Sequence, residues 1–324
     1  MVKRSSNFIA VIRQNWPVLV IMVAILVVAP FLAFSSHKDK LYVDAKASGS
    51  ETGSVEHPYK TIKKALEKAG KNTEIHVAKG KYKENITIKE EVDIFGASQD
   101  GVIIEAKDDD KPVVTMKHDT TLNKVTVKNG KNGIKVDNGA KASIIKVTIK
   151  NNDRDGIYIS EGRVKDKKMV SISECSITGN NWAGIYSKTR RLSIVDNDIS
   201  ENGSEGIDIE NNSSAWIAGN RIKDNRGSGM KLRVDGSNIW TKSNSIRENK
   251  KEGIEISFRG TAGRIDIAKS KIVGNHKYGV AKVQRFPRSA DSVSLWNKYL
   301  TFGDNNEFWD NYLDPISGVI FIFN

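Results

Sequence analysis

Apolar and polar residues alternate in short runs that recur along the chain. After Gly156 it reads Ile157-Tyr158-Ile159, after Gly206 Ile207-Asp208-Ile209, after Gly229 Met230-Lys231-Leu232, and after Gly253 Ile254-Glu255-Ile256. Alternation of this kind predicts short strands with one buried and one exposed face. Each such glycine stands four residues after an asparagine. The pairs are Asn129/Gly133, Asn152/Gly156, Asn180/Gly184, Asn202/Gly206, Asn225/Gly229, Asn249/Gly253 and Asn275/Gly279. Successive glycines are 23, 28, 22, 23, 24 and 26 residues apart. Three residues before the asparagine stands Ile149, Ile177, Ile199, Ile222, Ile246 or Ile272; the first copy has Val127, one position closer. A period of this size means stacked supersecondary units. It leaves no room for the crossover helix of an ordinary parallel unit. The prediction is a coil whose two or three strands pair with the next coil, a parallel β-helix. Its Asn- and Gly-rich turns would supply left-handed backbone.

A second column supports the stacking. Two residues before the aliphatic stand Val147, Cys175, Asn197, Asn220, Asn244 and Ser270. Three consecutive asparagines at strand spacing, about 4.8 Å, predict a ladder of side-chain amides. Cys175, in the same inward column and the chain's single cysteine, reads as a small buried side chain, and no disulfide can form within the chain. A degenerate eighth copy, Asn306 to Asn311, lacks the glycine, and Gly318 is expected to open its last strand.

These repeats resemble the pectate-lyase-like superfamily of right-handed β-helix proteins. The opening module is similar too: Tyr42-Val43-Asp44, a Gly/Ser loop, His57-Pro58-Tyr59-Lys60-Thr61-Ile62, a short helix, and Gly80 to Ile86. The resemblance, over residues 41 to about 311, implies an all-β, single-stranded right-handed parallel β-helix solenoid. It leaves activity open, because the superfamily includes lyases, hydrolases, epimerases and adhesins. Its lyase and hydrolase signature motifs are missing.

The ends complete the expected organisation. Residues Trp16 to Phe34 are uncharged and nearly all apolar, and Lys3, Arg4 and Arg13 precede them. Nineteen helical residues span about 29 Å, enough for a bilayer core. The expectation is a basic cytoplasmic tail (1–15), a membrane anchor (16–34), a linker (35–41) and an extracytoplasmic β-helix domain (42–324). A signal peptide cleaved near Ala33-Phe34-Ser35 is the rival reading. Thr61 to Ala69 reads as a helix with Ile62, Ala65, Leu66 and Ala69 on one face, covering the first coil. Regular repeats are expected over about 123–283. Gln284 to Ser292 reads as an insertion loop, and the aromatic-rich stretch 293–324 as the other cap.

The net charge is +12, and removing the three cations of the N-terminal tail leaves +9. A basic surface outside a cell suits an acidic polysaccharide or another envelope anion. Nucleic acid is not indicated, since no motif for it appears. Oligomeric state is left open by the sequence.

Candidate chemistry lies on the outward residues after the glycines. One column reads Lys135, Tyr158, Tyr186, Asp208, Lys231, Glu255 and a second Asp137, Ser160, Lys188, Glu210, Arg233, Ser257. Asp208, Glu210, Lys231, Arg233 and Glu255 are the candidate catalytic set: acid and base residues beside cations are what uronate elimination or epimerisation needs. Ca²⁺ is the cofactor such chemistry could call on. The rival reading is a charge ladder that only steadies the sheet. Tyr158, Tyr186, Trp182, Trp216 and Trp240 are candidate sugar-binding residues, because an aromatic face stacks on the apolar side of a sugar ring. Alternatively, the C-terminal aromatic stretch folds over Trp216 and Trp240. Three functions follow: a membrane-anchored glycan binder, a polysaccharide lyase or C5-epimerase, and a structural or adhesive rod.

Overall fold

A computed structural model describes residues 38–259, 262–285 and 292–322. The expected anchor at 16–34 lies outside these residues. Among the described residues, no helix is long and apolar enough to cross a membrane.

After a first strand that joins sheet A alone, each turn gives one strand to each of three parallel sheets, as in Ser214–Ala218, Arg221–Lys223 and Met230–Arg233. Sheet A has 11 strands, from Asp39–Val43 to Leu300–Phe302; sheet B has 10, from Gly80–Lys83 to Glu307–Trp309; sheet C has 10, from Ile86–Ile88 to Ile316–Ile322. This is the parallel β-helix that the spacing predicts. Register is unshifted through the repeats, so like residues stack: Ile157, Ile185, Ile207, Met230, Ile254 and Val280 form one column, all fully buried. Burying each aliphatic is worth about 1.5–3 kcal/mol against chain entropy, and the stack repeats that gain once per turn.

The turns explain the invariant residues. Asn197, Asn220 and Asn244 form the expected amide ladder, with Nδ2 to Oδ1 distances of 2.9 and 3.0 Å. A longer ladder runs through the repeat asparagines themselves, from Asn152 through Asn180, Asn202, Asn225, Asn249 and Asn275 to Asn311, at 2.7–3.0 Å per step. The left-handed backbone belongs mostly to the residue before the asparagine, such as Glu201, Asp224 and Glu248, rather than to the asparagine or the glycine. The glycines are required by close approach instead. A Cβ on Gly206 would lie 2.6 Å from the Gly229 carbonyl oxygen and 3.0 Å from the Asn225 amide nitrogen.

Helix α1, Ile62–Lys68, forms as expected, with the Thr61 hydroxyl accepting from the Lys64 N–H at 3.1 Å. The Glu84 carboxylate accepts from the Ile62 and Lys63 N–H groups, and Ile62, Ala65 and Leu66 are buried against the first strands of sheets A and C. The C-terminal stretch forms helix α2, Ser292–Tyr299, and then one further complete turn. Trp296 and Tyr299 pack on Phe258 with ring centroids 5.6 and 5.0 Å apart. Gly318 does not open the last strand: Ile316 pairs with Val280, and Pro315 stands where the other turns have glycine. The stretch expected as an insertion loop is strand as far as Arg285, with 286–291 outside the described residues. Nor does the aromatic segment cover Trp216 and Trp240, which stay 44% and 42% exposed.

Candidate functional site

The outer column of sheet C is built as the alternation requires. Lys135, Tyr158, Tyr186, Asp208, Lys231 and Glu255 are direct partners on successive strands. The Tyr158 and Tyr186 rings stack at 5.4 Å and 8°. Because these two rings cover each other, they offer a ligand their edges and hydroxyls. The turn that enters sheet C supplies the rest of the wall: Arg154 and Asp155, Trp182, then Ser204 and Glu205. Together they enclose a groove of about 650 Å³. Trp182, half exposed, carries the Arg154 guanidinium 4.7 Å from its ring centroid.

Three carboxyl groups line this groove in different states. Asp155 is buried; its oxygens accept from the Ala183 N–H and the Asn132 side-chain amide, each at 3.2 Å. Burial nevertheless pushes its pKa up to about 6. Glu205 is 7% exposed, bonded by the Ser204 hydroxyl and 4.0 Å from the Lys231 ammonium. Asp208 has no ion pair within 4 Å among the described residues, and its pKa is pushed up to about 7. Desolvation is the main cause; Lys231 opposes it, while the Glu205 and Glu210 charges add to it. Burial, with help from Glu210 and Asp208, raises the Tyr186 phenol to about 12, so it remains a hydrogen-bond donor.

The residues singled out from the sequence therefore divide. Asp208, Tyr158, Tyr186 and Trp182 meet at the groove, and Lys231 borders it. Glu210 and Arg233 form an ion pair one position along, about four-fifths buried, and occupy each other. Glu255 is the column's next residue beyond Lys231. Trp216 and Trp240 pair with each other on sheet A, a different face. Arg154, Asp155 and Glu205 escaped the sequence reading. The signal for Asp155 and Glu205 was the acid just before the repeat glycine, in Asp155-Gly156, Glu205-Gly206 and Glu252-Gly253.

The groove does not suit a resident Ca²⁺. Asp155 is spent on protein donors, Glu205 on Ser204 and Lys231, and no three of the groove's acids bring ligand atoms within 4.8 Å. Among the described residues only Asp108, Asp109 and Asp110 do so, on a loop between sheets B and C in an early turn.

Residues 113–272 match the family described as "Right handed beta helix region". No curated protein matches the chain. Among solved structures it is similar to ORF18 of Geobacillus virus E2, with a TM-score of 0.60 and 12% identity over 99% of this chain and 64% of that one. It therefore spans less than two thirds of that viral protein. It is also similar to pectate lyase Pel9A, with a TM-score of 0.52 and 13% identity over 85% and 79% of the two chains. A third similar structure is the Dettilon tailspike protein gp208, with a TM-score of 0.52 and 15% identity over 88% and 62%. The three sheets, the stacked asparagines and these matches agree on the fold: the chain is a right-handed parallel β-helix, with residues 113–272 as the repeats that match the family model.

Proposed function

We propose that this protein binds a polysaccharide in the sheet C groove, and that the polysaccharide is acidic. The observation that carries the reading is the meeting of Trp182, Tyr158 and Tyr186 with the unpaired Asp208 in one open groove. Trp182 offers its half-exposed ring to a sugar, the two phenol edges offer hydrogen bonds to its hydroxyls, and Arg154 and Lys231 border the path with positive charge. With their raised pKa values, Asp155 and Asp208 shed charge in mildly acidic solution and then do not repel an anionic strand. Proteins named as a pectate lyase and a tailspike share the fold, which supports a glycan ligand by analogy of fold alone.

Asp208 also favours a second reading, in which the bound strand is modified. A carboxyl group with a pKa near 7 is suited to give or take a proton. Asp208 would be the proton-transfer group, with Lys231 holding the substrate carboxylate; Glu210 and Arg233 are tied to each other. One experiment separates the readings. The full chain, in detergent, is titrated with polygalacturonate and with alginate, following both binding and the ultraviolet absorbance of unsaturated uronate ends. Saturable binding weakened by Trp182→Ala supports the groove. New absorbance abolished by Asp208→Ala adds lyase chemistry. Absence of both refutes the proposal and leaves the structural rod. For location, we propose that residues 16–34 hold the chain in a membrane with the β-helix outside the cytoplasm; loss of membrane fractionation on deleting them is the expected result.

A further inference from the structure

Sheet A carries a second feature that the groove does not use. Ser143, Ser171, Ser193, Trp216 and Trp240 are direct partners on five successive strands, forming one outward lane. Both indoles are open to solvent, Trp216 44% and Trp240 42% exposed. Trp216 has Trp240 on one side and Ser193 on the other. A serine is too short to cover an indole, so one face of Trp216 is left open above the row of serine hydroxyls. None of these three hydroxyls makes a side-chain hydrogen bond among the described residues. Cations flank the lane. Arg191 lies two residues from Ser193 on the same strand, and Lys242 two residues from Trp240. Both are exposed, and neither has an ion pair among the described residues. Arg264, the next cation along, is tied to Asp266 at 2.8 Å.

We propose that this lane is a second binding site for an anionic polysaccharide strand, which makes the protein bivalent and able to bridge two strands. The open indole face takes the apolar side of one sugar, the serine hydroxyls take hydrogen bonds from the next, and Arg191 and Lys242 take the carboxylate, sulfate or phosphate substituents. Charge complementarity selects this occupant: the lane meets two unpaired cations, within a chain of net charge +12. Sheets A and C face different directions, so one strand segment cannot lie on both. Occupying both faces therefore links separate segments, and linked polymer gains avidity without new contacts.

The test uses the full chain and polygalacturonate. Equilibrium dialysis with short oligogalacturonates counts sites, and light scattering with the long polymer reads bridging. The parent is expected to bind two oligomers per chain and to raise scattering. The double variant Trp216→Ala, Trp240→Ala is expected to lose one site and the scattering, with binding to the lane weakened about tenfold or more. A second double variant, Arg191→Gln, Lys242→Gln, keeps both indoles and should lose the same site, less so at high salt where the parent also weakens. All four side chains point outward, so melting temperatures near the parent's certify folding. The bridging rests on the groove reading; binding at the lane itself does not. If the groove reading fails and the lane holds, the parent shows one site, lost in both double variants and untouched by Trp182→Ala. Unchanged stoichiometry and scattering in both double variants overturn the proposal.

Discussion

Replacing Asp208 with asparagine tests the groove through its charge. Asp208 is held at about 7 by burial, without an ion pair to keep it ionised. A uronate ligand has the ordinary carboxylate pKa of about 4 and stays anionic above pH 5. The ligand's charge is thus constant from pH 5 to 8 while that of Asp208 changes. If the strand binds best beside the neutral carboxyl, affinity follows the protonated fraction. It is nearly full at pH 5, half at pH 7 and about one tenth at pH 8, a loss of about tenfold, or about 1.4 kcal/mol. Asp155, at about 6, shifts part of the loss to lower pH in the same direction. Asparagine mimics the neutral carboxyl in shape and charge, so Asp208→Asn should keep most of the low-pH affinity at pH 8. Stability should move with it. The folded-state pKa lies above the unfolded value, so the folded protein binds the extra proton and loses stability as pH rises from about 4 to about 7. Above pH 7 the variant should be more stable than the parent, by on the order of 2 kcal/mol after allowing for solvent at the groove. Titration calorimetry with polygalacturonate at several pH values, alongside denaturant melts, reads both. A pH-independent affinity in the parent, or an undiminished fall in Asp208→Asn, refutes the reasoning.

The fold makes its own predictions. Asn225→Ala breaks the longer ladder, leaving the Asn202 backbone N–H unpartnered in the core and its side-chain amide with only the Ile177 carbonyl; a loss of about 2–4 kcal/mol in urea melts is expected. Gly206→Ala should cost about 1–3 kcal/mol, because the new methyl meets both the Gly229 carbonyl and the buried Ile222 side chain at 2.6 Å. Leu66→Ala, on the buried face of α1, should lower stability by about 2–4 kcal/mol and quicken hydrogen exchange in the first strands of sheets A and C before the rest. Glu210→Gln leaves Arg233 without its partner and should destabilise the sheet while leaving glycan affinity at pH 5, where Asp208 is protonated, near the parent's.

The fold was legible because its signal is repeated. An aliphatic after each glycine and another before each asparagine fix which side faces inward, and a slip of one residue would expose the entire column. The asparagine ladder at 197, 220 and 244 was readable for the same reason. The longer ladder was not, because the repeat asparagines also suit turns, and local sequence does not separate those roles. The last turn was obscured where Pro315 replaced glycine. The groove was half legible. Strand alternation placed Tyr158, Tyr186 and Asp208 together, but Arg154, Asp155 and Glu205 come from turns, whose path no periodicity reports. Nor did the sequence show that Glu210 and Arg233 would pair off while Asp208 stayed single, since that depends on side-chain reach. Trp216 and Trp240 were rightly expected outside; that they lie on sheet A, away from Trp182 in the turn entering sheet C, follows only once the turns are counted.

Titrating the full chain with polygalacturonate at pH 6, beside its Trp182→Ala variant and with neutral dextran as control, tests the central claim most directly. The account predicts saturable binding to polygalacturonate, none to dextran, and loss of the groove component by about tenfold in Trp182→Ala with the fold intact. Binding that Trp182→Ala leaves unchanged, or no saturable binding at all, would contradict it.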